Sequence, residues 1–120
     1  MRRFIRYGTV GAIATATHYL VLVLCVEAAG WPAWLASGIG AVVGAQVAYL
    51  GNRRYTFAHR GPMGTSWLRF QGTALVGALL GMVIVGTGVR LGLHYLLAQV
   101  LATAASLVLT FAINRAWSFR

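Results

Sequence analysis

The sequence predicts an all-α integral membrane protein with four transmembrane helices, arranged as two helical hairpins with both termini cytoplasmic. Composition, the spacing of charges and the placement of arginines predict it. Of the 120 residues, 59% are hydrophobic and 9% charged, against roughly 45–50% and 25% in soluble domains. Mean hydropathy is +0.75. Uncharged runs of 20, 25, 20 and 24 residues separate Arg6, Glu27 and Arg53, and then Arg69, Arg90 and Arg115. A helix of about 20 apolar residues crosses a hydrocarbon core of roughly 30 Å. Every basic residue is arginine, and nine of the 10 fall in regions that four spans would bring to one side. That asymmetry marks the cytoplasmic face of the membrane.

The first helix is expected over Gly8–Val26, behind Arg2, Arg3 and Arg6. Its apolar run exceeds the roughly 7–15 residues of a secretory signal core, and further spans follow, so it reads as a retained span. The second is expected over Ala33–Gly51, with Ala36, Gly40, Gly44 and Ala48 spaced four apart. Such rows of small residues let helices approach closely in lipid. Tyr55 to Trp67, containing Gly61-Pro62 and Gly64, reads as a cytoplasmic turn region that also carries Arg60. The third helix is expected over Phe70–Val89 and the fourth over Tyr95–Ile113, again with small residues at Gly77, Gly81, Ala98, Ala102 and Ser106. Within lipid the backbone must bond to itself, which selects helix for all four. Aromatic residues mark both interfaces, Trp67, Phe70 and Trp117 on the arginine side and Trp31, Trp34 and Tyr95 on the other.

The chain reads as a single domain, 1–120, built from an internal repeat. "NRRYTF" begins at Asn52 and "NRAWSF" at Asn114, 62 residues later. At the same offset Leu35-Ala36 meets Leu97-Ala98, and Tyr49 meets Phe111. Arg6-Tyr7 meets Arg69-Phe70, and Glu27 meets Arg90, at an offset of 63. Repeat one covers about 4–57 and repeat two about 67–119. Two spans per repeat give both halves the same orientation, so their pseudo-twofold axis should follow the membrane normal. Glu27 and Arg90 are expected to pair across it at the outer side.

Several functions are excluded. A net charge of +9 and a pI near 11.4 suggest nucleic acid, but the arginines punctuate apolar runs and form no stripe among polar residues. Glu27 is the sole carboxylate, so no acid–base pair exists. His18, His59 and His94 fall at different depths, and lone Cys25 adds no metal-ligand spacing. Neither enzyme chemistry nor a cofactor is expected. The intramembrane polar residues His18 and Gln46 are candidates for a polar path, since such groups are costly in lipid.

The repeated phrase supports two readings. Asparagine caps a helix C-terminus, arginine meets the negative end of the helix dipole, and the aromatics anchor in the headgroup layer. Alternatively, Arg53 and Arg115, beside Asn52 and Asn114 and near Arg6 and Arg69 at the adjacent helix starts, form a lipid-phosphate site. Arginine forks bind phosphate bidentately.

The phrases "NRRYTF" and "NRAWSF" at the ends of spans two and four resemble the GtrA-like family. So does the opening "RFIRYGTVGAIATATHYLVL", and the resemblance runs from Arg3 to Phe119. It implies a bacterial inner-membrane protein that moves an undecaprenyl-phosphate-linked sugar from the cytoplasmic to the outer leaflet for cell-surface polysaccharide synthesis. A partner glycosyltransferase would make that lipid. The resemblance also implies an alternative, an adaptor that anchors the glycosyltransferase. Many members carry Asn and Asp in helix one, where this chain has His18. Ala116 stands opposite Arg54 in the second phrase, which sets Arg54 apart from any symmetric site. A small drug exporter would need an embedded glutamate in helix one, whereas Glu27 is at the helix end. Four spans of small residues enclose little volume, so a homo-oligomer is expected as well.

Overall fold

The computed structural model describes residues 2–51, 53–54 and 64–113. Helix α1 (Arg2–Val23) continues into a π-helical turn, Leu24–Ala28. Helices α2 (Ala33–Gly51), α3 (Gly64–Arg90) and α4 (Tyr95–Ile113) follow, and no strand is present among the described residues. All four are long and apolar enough to cross a membrane, and the chain is a multi-pass membrane protein. The longest dimension is 44 Å, close to the roughly 40–45 Å of a bilayer with its headgroups.

Helices α2 and α4 coincide with the expected spans. Helix α1 starts at Arg2, before the expected Gly8, and α3 at Gly64, before Phe70. Hydrocarbon thickness sets how many apolar residues a span needs, but the i→i−4 bonds continue into the interface without them. Helix α3 therefore takes in the last part of the expected Tyr55–Trp67 turn. Residues 55–63 lie outside the described residues.

Successive helices pack as neighbours: α1 on α2, α2 on α3 and α3 on α4. Small residues set the spacing. A Cβ at Gly40 would come within 2.7 Å of the His18 carbonyl oxygen, and one at Gly44 within 2.9 Å of the Ala14 carbonyl oxygen. Only glycine permits this approach of α2 to the α1 backbone. Helices α1 and α4, by contrast, are not packed along their length. They are joined toward the turn end, where the Tyr19 hydroxyl shares a 2.8 Å hydrogen bond with Thr103 Oγ1 and donates to the Gln99 carbonyl at 3.4 Å.

The solid part of the core lies in the turn-end half. Leu22, Ala36, Val85, Ala98 and Ala102 are completely buried there. Both hairpin turns use a glycine of positive φ, Gly30 at 71° and Gly92 at 96°, a conformation that costs L-residues with a Cβ. Each turn then closes back on its helix, Trp31 N–H to Cys25 O at 3.0 Å and Leu93 N–H to Gly88 O at 2.9 Å. The two connections, 29–32 and 91–94, are equal in length, but the first closing hydrogen bond spans one residue more than the second. The π-helical turn accommodates it, closing Ala29 N–H on Leu24 O at 3.3 Å; an i→i+5 closure takes up one residue more than i→i+4.

Candidate functional site

A cavity of about 300 Å³ lies between the four helices. Its volume is at the lower edge of the roughly 300–1,000 Å³ typical of small-molecule sites. It runs from the level of Gly11, Ala48, Phe70 and Thr110 up to His18, Ser37, Gly81 and Gln99. Glycine, alanine, serine and threonine make most of the wall, and among the described residues none that lines it is charged. The same small residues that bring helices together elsewhere leave space here, because their short side chains do not fill the gap between the helices.

A polar roof closes the cavity toward the turn end. Ser37 Oγ donates to Gln99 Oε1 at 2.6 Å, and both residues are buried, 2% exposed each. Gln99 Nε2 donates to Thr103 Oγ1 at 3.2 Å. With the Tyr19 hydroxyl this makes a hydrogen-bonded set drawn from α1, α2 and α4. Beyond it stands the fully buried apolar layer of Leu22, Ala36, Val85 and Ala98. Two polar atoms of residues on the cavity wall, His18 Nε2 and Thr73 Oγ1, are shut off from solvent without a hydrogen-bond partner. An unsatisfied buried group costs about 1–3 kcal/mol, so both atoms mark places where this packing is not the most stable available.

The expected polar-path residues separate. His18 is on the wall, while Gln46 is engaged elsewhere: its Nε2 donates to Gln71 Oε1 at 2.8 Å and its Oε1 accepts from Gln71 Nε2 at 3.0 Å. Two reciprocal amide bonds give each side chain a donor and an acceptor partner, so Gln46 clasps α2 to α3 instead of lining the cavity. Beside this clasp the ring of Tyr49 packs on Phe70 with centroids 5.3 Å apart.

Of the expected phosphate-binding residues, Arg6 and Arg69 are exposed in the second turns of α1 and α3. Arg69 lies one helical turn before Thr73 on the cavity wall. Arg53 is half-buried just past the end of α2, and its Nε is enclosed without a hydrogen-bond partner. Asn52, Asn114 and Arg115 lie outside the described residues. At the turn end Glu27 accepts a 2.9 Å hydrogen bond from the Tyr95 hydroxyl, and Arg90 is exposed in the last turn of α3.

Gln99 stands out in the sequence as a polar residue within span four but was not in the expected site set, and Ser37 was not singled out, yet a signal for the pair exists. Ser37 and Gln99 are 62 apart, the offset already seen between the two halves. A polar residue facing a polar residue at that offset, each inside an apolar span, was the available clue.

A family model described as the GtrA/DPMS transmembrane domain matches residues 6–119. A protein of Shigella phage SfII, named bactoprenol-linked glucose translocase, is 24% identical over 120 residues, covering 100% of this chain and 97% of the relative. No solved structure matches the chain.

Proposed function

The chain belongs to the GtrA/DPMS transmembrane-domain family, and from that premise we propose that it translocates a polyprenyl-phosphate-linked sugar across the bacterial inner membrane. The observation that carries this reading is the uncharged, polar-roofed cavity inside a four-span bundle. A sugar ring needs hydrogen-bonding partners and a path through the hydrocarbon. The cavity offers hydroxyls and amides along its wall, and passing hydroxyls would supply partners for His18 Nε2 and Thr73 Oγ1. The phosphate stays out of it, because none of the described wall residues is charged, and rests against the arginines of the cytoplasmic rim. Arg53, Arg115, Arg6 and Arg69, with Asn52 and Asn114, are the proposed set. Ser37 and Gln99 with their hydrogen bond form the barrier to the outer leaflet.

The arrangement is proposed to be that of two parallel repeats. Support comes from matched contacts: Gly40 and Gly44 face His18 and Ala14 in the first hairpin, and Ala102 and Ser106 face Gly81 and Gly77 in the second. These are the same positions at offsets of 62 and 63. In such a pair, rocking of one half against the other exchanges access between the two sides. Glu27 and Arg90 would then neutralise each other at the outer corner. A glycosyltransferase that makes the lipid is the proposed partner, and a second copy of the chain a further one.

The test is leaflet exposure of a labelled polyprenyl-phosphate-glucose in vesicles containing the purified protein. Arg53→Ala and Arg115→Ala are each expected to slow its movement about tenfold or more, since a charge-assisted hydrogen bond contributes about 1.5–3 kcal/mol. Wild-type movement in both variants would remove the arginines from the site. A wild-type protein that moves no lipid but retains a glycosyltransferase on affinity capture would establish the adaptor reading instead.

A further inference from the structure

A lipid whose headgroup enters a cavity between helices must keep its tail in the hydrocarbon. Some pair of helices therefore has to stand apart. The asymmetry between the two halves identifies which pair. The hairpins meet along two seams, α2–α3 and α1–α4. On the first, Gln46 bonds Gln71 and Tyr49 packs on Phe70. The counterparts of Gln46 and Tyr49, 62 residues on, are Val108 and Phe111 of α4, and they are 72% and 67% exposed. The counterpart of Gln71, 63 residues back, is Gly8 of α1, and a Cβ there would meet nothing within 4 Å; nor would one at Gly11, a turn further along. Among the described residues the α2–α3 clasp thus has no equivalent across α1–α4.

The open seam is bounded at both ends and leads inward. Its turn end is tied by Tyr19 to Thr103 and Gln99. Its other end carries Arg6 on α1. Along it, Gly11, Ala14, Thr15 and His18 of α1 and Gln99, Thr103, Ser106, Leu107 and Thr110 of α4 belong to the cavity wall. Exposed apolar side chains flank it, Ile5 and Ile13 on one side and Val108 and Phe111 on the other.

We propose that the α1–α4 seam is the lateral portal of this protein: the isoprenoid chain lies between Gly8–Gly11 and Val108–Phe111 while the sugar occupies the cavity behind it. This deepens the translocase reading and rests on it. The chemistry that suits the seam is a flexible, unbranched-to-methyl-branched hydrocarbon. Glycine on one wall gives depth, apolar side chains on the other give contact, and dispersion with the lipid chain replaces the missing helix–helix packing. A sealed α2–α3 seam gives the same lipid no second route.

The portal is tested with a polyprenyl-phosphate-glucose bearing a diazirine in its isoprenoid chain, photolysed in vesicles of phosphatidylethanolamine and phosphatidylglycerol containing the full chain. Adducts are expected on residues 8–15 of α1 and 104–111 of α4 at several times the level on 42–50 of α2 and 67–76 of α3. Excess unlabelled polyprenyl-phosphate-glucose should remove them, and excess phosphatidylglycerol should not. Even labelling of all four stretches, or adducts concentrated on α2–α3, would overturn the portal. A second arm copies the clasp across the seam with Gly8→Gln and Val108→Gln together. Movement of the lipid is expected to fall at least tenfold, while the same kind of change away from the seam, Leu79→Gln on the exposed face of α3, leaves it close to wild type. Undiminished movement in a folded double variant also overturns the portal. Absence of any movement by the wild type counts against the translocase reading itself, and leaves the adduct pattern to judge the seam.

Discussion

Two residues carry most of what distinguishes this bundle from a plain pack of apolar helices. Ser37 and Gln99 meet at 2.6 Å on the roof of the cavity, almost without exposed surface. In hydrocarbon such a pair is held mainly because the alternative is an amide with nothing to bond. Replacing Gln99 by Leu should cost about 1–3 kcal/mol, since Ser37 is left unsatisfied. The double variant with Ser37→Ala should cost less than the two single changes added. Reversible unfolding in mixed micelles would give the coupling, expected at about 0.6–1.7 kcal/mol from interhelical hydrogen bonds in membranes. Additive losses would show that the contact contributes nothing of its own. His18 was legible as a candidate because a histidine inside an apolar span is conspicuous. Gln46 was equally conspicuous, yet its amide is paired with that of Gln71. Polarity in a span identifies a group that needs a partner and says nothing of whether the partner is another helix or a ligand.

Among the elements, α2 and α4 were readable to the residue, and α1 and α3 were readable in their spans but not in their starts. The π-helical turn was not anticipated, although its cause was visible. The halves align at an offset of 63 along their first helices and 62 along their second, so one residue is surplus in the first hairpin. Leu24–Ala28 takes it up near the outer corner. If that is the role of the turn, removing Val26 converts it to α-helix and leaves the rest of α1 in register. The shortened chain should be produced and run as a single species on size-exclusion chromatography at near wild-type yield. Removing Val83 from the regular interior of α3 should not be tolerated, because it rotates everything beyond by about 100° at 3.6 residues per turn. Equal failure of both deletions would assign the π-helical turn a different role.

At the scale of the molecule, charge and packing answer separate questions. Nine arginines against one predict a cytoplasmic location for both termini. Alkaline phosphatase fused after Arg120 should be inactive, and fused after Gly92 active. The reverse pattern would invert the bundle and place the cavity on the other side of its roof. Packing divides the bundle differently, into a solid half around Leu22, Ala36, Val85 and Ala98 and a hollow half lined by glycine, alanine and threonine. Among the described residues, the hollow half is the one with Arg6, Arg53 and Arg69 toward its open end, the set proposed to hold the lipid phosphate.

The sequence by itself determined how many times the chain crosses the membrane, where α2 and α4 begin and end, and which end of the bundle is rich in arginine. Hydrocarbon thickness and the cost of burying charge depend only on residue order, so counting was enough. Only the tertiary structure decided that Ser37 reaches Gln99, that Gln71 takes Gln46 out of the cavity, and that α1 and α4 stand apart while α2 and α3 are clasped. Those outcomes depend on the rotation and tilt of each helix. In a chain of small side chains, both are set by which surfaces fit closest, and apolar length carries no trace of that.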